Sequence, residues 1–300
     1  MFNYNSSGGV FMPERIFDML GAAKLDIFGI TVICDGEVIL HKPFGEDIRR
    51  PVYSATKSVT SAAFCLACDD GLISADSLLC EFLEKRYASL MSQSFKSLPL
   101  RRFLTMTAGE YPFRPYGDNW LETALTLDTD HSDMSFHYSN IPAYLVGVAV
   151  ENSVGEPLMR YLEKRLFSPL GISAPPFQTS PEGHFYGATG MELTPLELAR
   201  FGQLWLDNGS LDGKQLISQA SVMQTVKPYV KTGSGDSYGF FFRVADDHYS
   251  IVGKWGQRCM VYPEKRLVIA YLSHQPERSD ELALVFNTYA GGFIPPNKAL

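Results

Sequence analysis

Strand-forming patterns lie at both ends of this 300-residue chain, while helix and loop patterns fill its middle. Segments 28–34 and 38–41, separated by Asp35-Gly36, predict a β-hairpin near the start. Four more strands are predicted at 238–244, 249–252, 258–262 and 267–273. We therefore expect an α/β (α+β) fold. One antiparallel sheet would be built from both termini and flanked by helices, with a mainly helical subdomain inserted.

The apolar fraction of 45% is enough for a sizeable core. We expect a single domain over 1–300, with a sheet part at about 1–52 and 186–300 and a helical part at about 53–185. Thr194 is placed to cap a helix over 195–208, and Ser279 to cap a last helix over 280–289. Further helices are predicted at 14–23, 54–70, 98–105, 143–150 and 157–166.

The charge pattern excludes some partners. The net charge is −7 and no run of Lys or Arg exceeds two residues, which argues against nucleic acid. The longest apolar run, 143–150, is too short to span a bilayer, so no membrane partner is expected. The first residues lack signal-peptide features, and the five cysteines are an odd number, so we expect thiols and a cytoplasmic location. Cys65 and Cys68 are expected to belong to a packed helix face.

Ser54 and Lys57 lie three residues apart where a helix is predicted to begin. Residues with this spacing share a helix face, so the hydroxyl and the amine are expected to converge. A serine needs an adjacent base to become a nucleophile, and a lysine with a lowered pKa can be that base. The spacing alone is weak evidence, because many exposed helix starts contain it by chance.

Two later segments carry groups suited to the same chemistry. Tyr138 and Asn140 are two residues apart, so in an extended backbone their side chains point the same way. Segment 252–257 follows a predicted strand that could offer a backbone N–H to an oxyanion, and Lys254 could attract a substrate carboxylate. Lys231-Thr232-Gly233 competes for this last role, although its composition is that of a flexible turn.

In this order, S-x-x-K, Tyr-Ser-Asn and a late K-x-G resemble the motifs of the serine β-lactamase and penicillin-binding-protein superfamily. The resemblance covers nearly the whole chain, with family-like segments at 100–109, 138–170 and 193–202. It is nearest to the class C β-lactamase-related hydrolases, which include esterases, amidases and D-amino-acid peptidases. In that family the third motif follows a Y-G-x-x-x strand, which 238–242 matches, so Lys254 is favoured over Lys231.

The resemblance implies a serine hydrolase that forms an acyl-enzyme on Ser54 and cleaves a small-molecule ester, amide or β-lactam. Lys57 would be the base, and Tyr138 would pass the proton to the leaving group and later activate water. The oxyanion would be bound by the backbone N–H of Ser54 and one from the late strand. The implied substrate-binding and oxyanion residues are Asn140, Lys254, Trp255, Gly256 and Gln257. No metal or organic cofactor is implied, because these groups complete the cycle unaided.

Other interpretations remain open. Trp255 stands where the family often has Thr or Gly, which argues against ordinary β-lactams and predicts a narrower or more apolar acyl pocket. A penicillin-binding or sensor protein that is acylated without turnover, or an acyltransferase, is the alternative. His131, His137 and His184 invite a Ser-His-Asp interpretation, but the chain contains no G-x-S-x-G elbow. Tyr116 and Trp120 are expected either in a pocket or on the surface.

Overall fold

The computed structural model describes residues 14–293. In that range the helices are α1 (Glu14–Ala23), α2 (Thr56–Asp69), α3 (Lys85–Ala88), α4 (Gln93–Lys96), α5 (Leu100–Leu104), α6 (Trp120–Thr126), α7 (Ile141–Val154), α8 (Leu158–Leu162), α9 (Pro195–Leu206), α10 (Gln219–Thr225) and α11 (Ser279–Gly291). The 3₁₀ turns are Tyr53–Ala55, Leu79–Phe82 and Pro263–Lys265, and a π-helical turn covers Glu163–Phe167.

The strands are β1 (Gly29–Cys34), β2 (Glu37–Pro43), β3 (Arg50–Pro51), β4 (Glu192–Leu193), β5 (Ser210–Leu211), β6 (Lys214–Gln215), β7 (Val230–Lys231), β8 (Ser237–Tyr238), β9 (Arg243–Val244), β10 (Tyr249–Gly253), β11 (Gln257–Tyr262) and β12 (Leu267–Leu272). Eight of them form one antiparallel sheet in the order β2-β1-β12-β11-β10-β9-β8-β7. Because β1 pairs with β12, the sheet joins both ends of the chain, and the predicted fold class is confirmed.

The sheet buries apolar side chains on both faces, as the period of two along a strand requires. On β12, Leu267, Ile269 and Tyr271 pack in a cluster with α1 and α11. The alternate residues of this strand enter the larger cluster, which also holds α9 and the helices between β3 and β4. The sheet therefore separates two layers of helices, and the larger layer contains the site described below.

Helix α9 begins as its sequence predicts. Thr194 Oγ1 accepts a hydrogen bond from the N–H of Glu197 at 3.1 Å, and Glu197 accepts one from the N–H of Thr194 at 2.9 Å. This capping box satisfies two N–H groups that a helix start leaves unpaired. Thr194 as a helix cap is thus confirmed, whereas Ser279 is the first residue of α11 and Arg278 occupies the cap position.

The predicted strand over 238–244 is wrong, because the chain reverses within it. β8 and β9 pair with each other, Tyr238 opposite Arg243. The N–H of Gly239 donates to the Phe242 carbonyl at 2.9 Å, and Phe241 adopts a left-handed φ of 61°. A side chain at Gly239 would collide with the Thr225 carbonyl, so this glycine marks a close approach rather than a strand interior.

The cysteines are free thiols. Cys65 is buried in α2, with its Sγ 3.8 Å from the Ser221 carbonyl oxygen, so this helix face is packed as predicted. Between residues 14 and 293, none of the helices combines the length and the apolar character needed to cross a membrane.

We expect Gly202→Ala to destabilise the protein by about 1–3 kcal/mol, because extra volume in a close-packed core forces its neighbours apart. A Cβ at Gly202 of α9 would lie 2.3 Å from Cys259 Sγ on β11. Gly21 of α1 has no atom within 4 Å of such a Cβ, so Gly21→Ala is the matched control and should stabilise by up to about 1 kcal/mol. Urea unfolding measures both changes; equal stability of the two variants would contradict the close contact.

Candidate active site

Ser54 lies in the 3₁₀ turn that leads into α2. The N–H of Val52 donates to the Met191 carbonyl at 3.0 Å and thereby extends the β3–β4 pairing to the start of the turn. Tyr53 has a left-handed φ of 49°, and its carbonyl accepts a hydrogen bond from Thr56 Oγ1 at 2.7 Å. These contacts hold Ser54 half-buried at the N-terminal end of α2.

Lys57 is buried one turn further along, with 1% of its surface exposed. Its Nζ lies 3.0 Å from Ser54 Oγ, 2.6 Å from Asn140 Oδ1 and 3.0 Å from the Ala188 carbonyl oxygen. These three oxygens come from three separate parts of the chain. The predicted convergence of Ser54, Lys57 and Asn140 is therefore present in the structure, and the Ala188 carbonyl joins it.

The Ala188 carbonyl is held in place by its neighbour. Thr60 Oγ1 on α2 donates to the Gly187 carbonyl at 2.7 Å. Gly187 has a φ of 68°, and a Cβ there would lie 3.0 Å from Thr60 Oγ1. A residue without a side chain is therefore suited to this position, where the 187–188 backbone meets the helix.

Burial lowers the pKa of the Lys57 ammonium, and the Tyr138 hydroxyl group opposes part of that shift. In the described part of the chain, Lys57 forms no ion pair with a carboxylate, so its surroundings favour the neutral amine. A neutral amine can donate its two N–H groups to Asn140 Oδ1 and the Ala188 carbonyl. Its lone pair then faces Ser54 Oγ, as a base requires.

Tyr138 lies beside Lys57, whose Nζ is 4.9 Å from the centre of the Tyr138 ring. The ring also contacts Phe136 and Tyr238, with centroid distances of 6.3 and 6.4 Å. Asn140 Nδ2 donates to the Tyr186 hydroxyl at 3.1 Å, which orients the amide so that Oδ1 faces Lys57. Tyr138 and Asn140 thus enter one site together, as their spacing predicts.

Lys254, Trp255 and Gly256 form the tight turn between β10 and β11. Gly253, just before it, packs against the backbone of the Ser54 turn, because a Cβ there would lie 2.1 Å from the Val52 carbonyl oxygen. Lys254 lines the cavity beside Ser54. The late segment therefore lies against the turn that carries Ser54, as its predicted role requires.

Trp255 was predicted to bound the acyl pocket, but it is not one of the residues that line the cavity. Its ring contacts Tyr53 edge-on at 5.1 Å and His274 at 4.6 Å. A φ of 63° at the hairpin turn directs it there. Trp255 consequently supports Tyr53, which does line the cavity, instead of narrowing the space itself.

Gln257 begins β11 opposite Gly253. Its side chain is buried away from the cavity, where Nε2 donates to the Ser273 carbonyl at 2.6 Å and Oε1 accepts from the Ser273 N–H at 3.1 Å. Only its backbone N–H therefore remains a candidate for oxyanion binding. Lys231 is exposed on β7, the edge strand of the sheet, and does not line the cavity.

A cavity of about 740 Å³ opens in front of Ser54. It is lined by Tyr53, Ser54, Phe113, Arg114, Pro115, Tyr116, Trp120, Tyr138, Asn140, Gln178, Tyr186, Thr189, Val252, Gly253 and Lys254. Tyr116 and Trp120 thus belong to a pocket wall. Sequence reasoning missed Tyr186, Gln178 and the Ala188 carbonyl, because loops distant in sequence bring them to the site.

The histidines do not form a Ser-His-Asp relay. His137 Nε2 contacts both Ser135 Oγ at 2.8 Å and Asp133 Oδ2 at 2.6 Å, whereas a relay uses opposite ring nitrogens for the serine and the carboxylate. His131 Nδ1 lies 2.8 Å from the Ala108 carbonyl oxygen, and His184 pairs with Glu151. Over residues 14–293, no group of three His, Cys, Asp or Glu side chains is placed to hold a metal ion.

The Beta-lactamase family model matches residues 16–287, so the chain belongs to that family. None of the curated proteins compared with it matches. Its fold is similar to a penicillin-binding-protein homologue from Caulobacter crescentus (TM-score 0.74, 16% identity, 94% of this chain and 98% of that one). It is also similar to the octameric penicillin-binding-protein homologue from Pyrococcus abyssi (TM-score 0.70, 19% identity, 95% of this chain and 78% of that one). A third similar structure is a β-lactamase from Mycobacterium bovis (TM-score 0.64, 17% identity, 90% of this chain and 99% of that one). Family membership supports a hydrolase or a penicillin-binding-protein-like function.

We expect the stability of the wild type to rise with pH relative to Lys57→Met. Because burial lowers the pKa of folded Lys57, the unfolded chain binds more protons between that lowered pKa and about 10.4, the ordinary lysine value. In that window the free energy of unfolding of the wild type should gain up to about 1.4 kcal/mol per pH unit over the variant. Urea unfolding of both proteins across the window measures the difference, and parallel pH curves would show that Lys57 stays charged when folded.

Proposed function

We propose that this protein is a serine hydrolase that forms an acyl-enzyme on Ser54 and cleaves a small ester, amide or lactam. The observation that carries the proposal is the buried Lys57 Nζ, 3.0 Å from Ser54 Oγ and held by two neutral carbonyl-type oxygens. Such an amine is both oriented and kept from protonation, which is what a base for a serine needs.

In the acylation step, Ser54 Oγ bonds to the substrate carbonyl carbon as its proton passes to Lys57 Nζ. The carbonyl π electrons become the oxyanion, which accepts hydrogen bonds from the N–H of Ser54 and one from the start of β11, at Gln257. When the C=O bond re-forms, the bond to the leaving group breaks. The departing alcohol or amine takes its proton through the Tyr138 hydroxyl, which is replenished from Lys57.

Deacylation repeats these steps with water. Tyr138 and Lys57 take a proton from the water as its oxygen bonds to the acyl carbon. Collapse of the second oxyanion releases the carboxylic acid, and the proton returns to Ser54 Oγ. The five free thiols support a reducing compartment, so the cytoplasmic location stays part of this proposal.

We expect Ser54→Ala to lower the turnover of 4-nitrophenyl butyrate by at least about a thousandfold, because no other group replaces the nucleophile. Ser135→Ala is the matched control, since Ser135 also lies beside a basic side chain, His137, but outside the cavity. Release of 4-nitrophenol measures both variants. Wild-type turnover that survives in Ser54→Ala would refute the proposed nucleophile.

Intact-mass measurement with a penicillin separates hydrolysis from its alternative. A stable adduct on the wild type without turnover of any ester would indicate a penicillin-binding or sensor protein. Product analysis with an added alcohol or amine distinguishes an acyltransferase, because the acyl group would then appear on that nucleophile instead of on water.

We expect Lys254→Gln to lower kcat/KM for the same ester about threefold or more, and Lys231→Gln to leave it unchanged within error. Lys254 lines the cavity, where its charge stabilises the developing oxyanion, whereas Lys231 is exposed at the sheet edge. Both variants remove one positive charge, so each controls for net charge. A larger loss of kcat/KM in Lys231→Gln than in Lys254→Gln would assign the third motif to Lys231.

A further inference from the structure

The charges that line the cavity are all of one sign. Among the described residues that form its wall, Arg114 and Lys254 are charged and both are cations, while the remainder are aromatic, amide, hydroxyl or apolar. A cavity lined by one sign of charge concentrates ligands of the opposite sign. This pattern is notable in a chain whose net charge is −7.

Arg114 is attached to the Asn140 side of the cavity. The N–H of Asn140 donates to the carbonyl of Phe113, the preceding residue, at 2.8 Å, and Ser139 Oγ donates to the Pro112 carbonyl at 2.6 Å. These bonds fix the loop that carries Arg114 beside Asn140. Asn140 Nδ2 also donates to the Tyr186 hydroxyl at 3.1 Å, so Asn140 joins Tyr186 to the loop that carries Arg114.

Arg114 forms no ion pair with any carboxylate of residues 14–293. Glu182 is bonded to the part of the wall that carries Trp120: it accepts hydrogen bonds from the N–H groups of Trp120 at 3.2 Å and Leu121 at 2.8 Å, and from the Tyr144 hydroxyl. This carboxylate is thus bonded to groups other than Arg114. A guanidinium that faces a cavity without an internal partner is available to a ligand.

Two groups of aromatic side chains border the cavity. Tyr138, the proposed proton donor to the leaving group, packs with Phe136 and Tyr238. Tyr186 instead packs with Trp120 at 4.8 Å and is joined through Asn140 to the loop that carries Arg114. With the leaving group beside Tyr138, the acyl group is directed toward Tyr186 and Arg114.

We propose that the acyl part of the substrate carries a negative charge and that Arg114 binds it, which makes Arg114 a specificity-determining residue. The substrate class is therefore an ester or amide of an acid with a second anionic group, such as a half-ester of a dicarboxylic acid. The assignment rests on the proposed function, because Tyr138 defines the leaving-group side. A guanidinium–carboxylate pair supplies charge and geometry together.

The test compares esters that differ in the position of one carboxylate. Mono-4-nitrophenyl adipate carries it on the acyl chain, 3-carboxy-4-nitrophenyl hexanoate carries it on the leaving group, and 4-nitrophenyl hexanoate is neutral. We expect the wild type to have a higher kcat/KM for the adipate ester than for the neutral one. Arg114→Gln should reduce that ratio about tenfold, and Arg114→Lys should retain part of it.

Arg160→Gln is the charge control, because Arg160 is an exposed arginine remote from the cavity wall. It should leave the ratio unchanged. The proposal is overturned if the wild type does not prefer the adipate ester, if Arg114→Gln keeps the preference, or if Arg160→Gln loses it equally. Dependence on Arg114 that appears only with the leaving-group carboxylate would overturn the acyl assignment.

A binding measurement separates this inference from the proposed function. On Ser54→Ala protein, calorimetry compares monomethyl adipate, an anion, with methyl hexanoate, its neutral counterpart. If the wild type hydrolyses none of the esters, the proposed function fails, yet tighter binding of the anion that Arg114→Gln abolishes would still support the anionic site. Equal binding of the two ligands would overturn it.

Discussion

The burial of one amine, that of Lys57, determines how this structure is arranged around its site. Removing an ammonium from water is costly unless it is paired or neutralised. Here the oxygens of Ser54, Asn140 and Ala188 lie within hydrogen-bond distance of the buried amine, and none of them carries a charge. Those oxygens come from a 3₁₀ turn, the start of α7 and a loop before β4. The site therefore exists only when these three segments, which lie far apart in the chain, are packed together.

The neutrality of these partners matters as much as their number. A carboxylate at any of the three positions would raise the pKa of Lys57 and favour its ammonium form, which cannot accept a proton. The surrounding contacts orient the neutral oxygens of Asn140 and Ala188 toward Lys57. Thr60 fixes the backbone next to Ala188, and Tyr186 occupies the N–H side of Asn140 so that its oxygen faces Lys57. Stability and chemistry thus depend on the same hydrogen bonds.

The sequence predicted those parts of the site that depend on local spacing. Ser54 and Lys57 share a helix face, and Tyr138 and Asn140 share one side of a loop, so short-range geometry brought each pair together. Local spacing could not predict the Ala188 carbonyl or Tyr186. A backbone oxygen has no residue-specific sequence pattern, and the loop that carries both groups meets the site only through tertiary contacts. The strand prediction at 238–244 is wrong for the same reason, because Gly239 packs closely against the Thr225 backbone, which is a tertiary contact that local spacing does not show.

Trp255 illustrates why a motif position does not by itself define a substrate contact. In the sequence it occupies the place of a residue next to the ligand, and a large ring there predicted a smaller pocket. The hairpin turn between β10 and β11 instead gives it a left-handed backbone, and its ring meets Tyr53 and His274. Tyr53 also carries a left-handed φ and directly precedes Ser54. The Trp255 ring therefore packs against the residue that directly precedes Ser54, and the cavity wall is formed by other side chains.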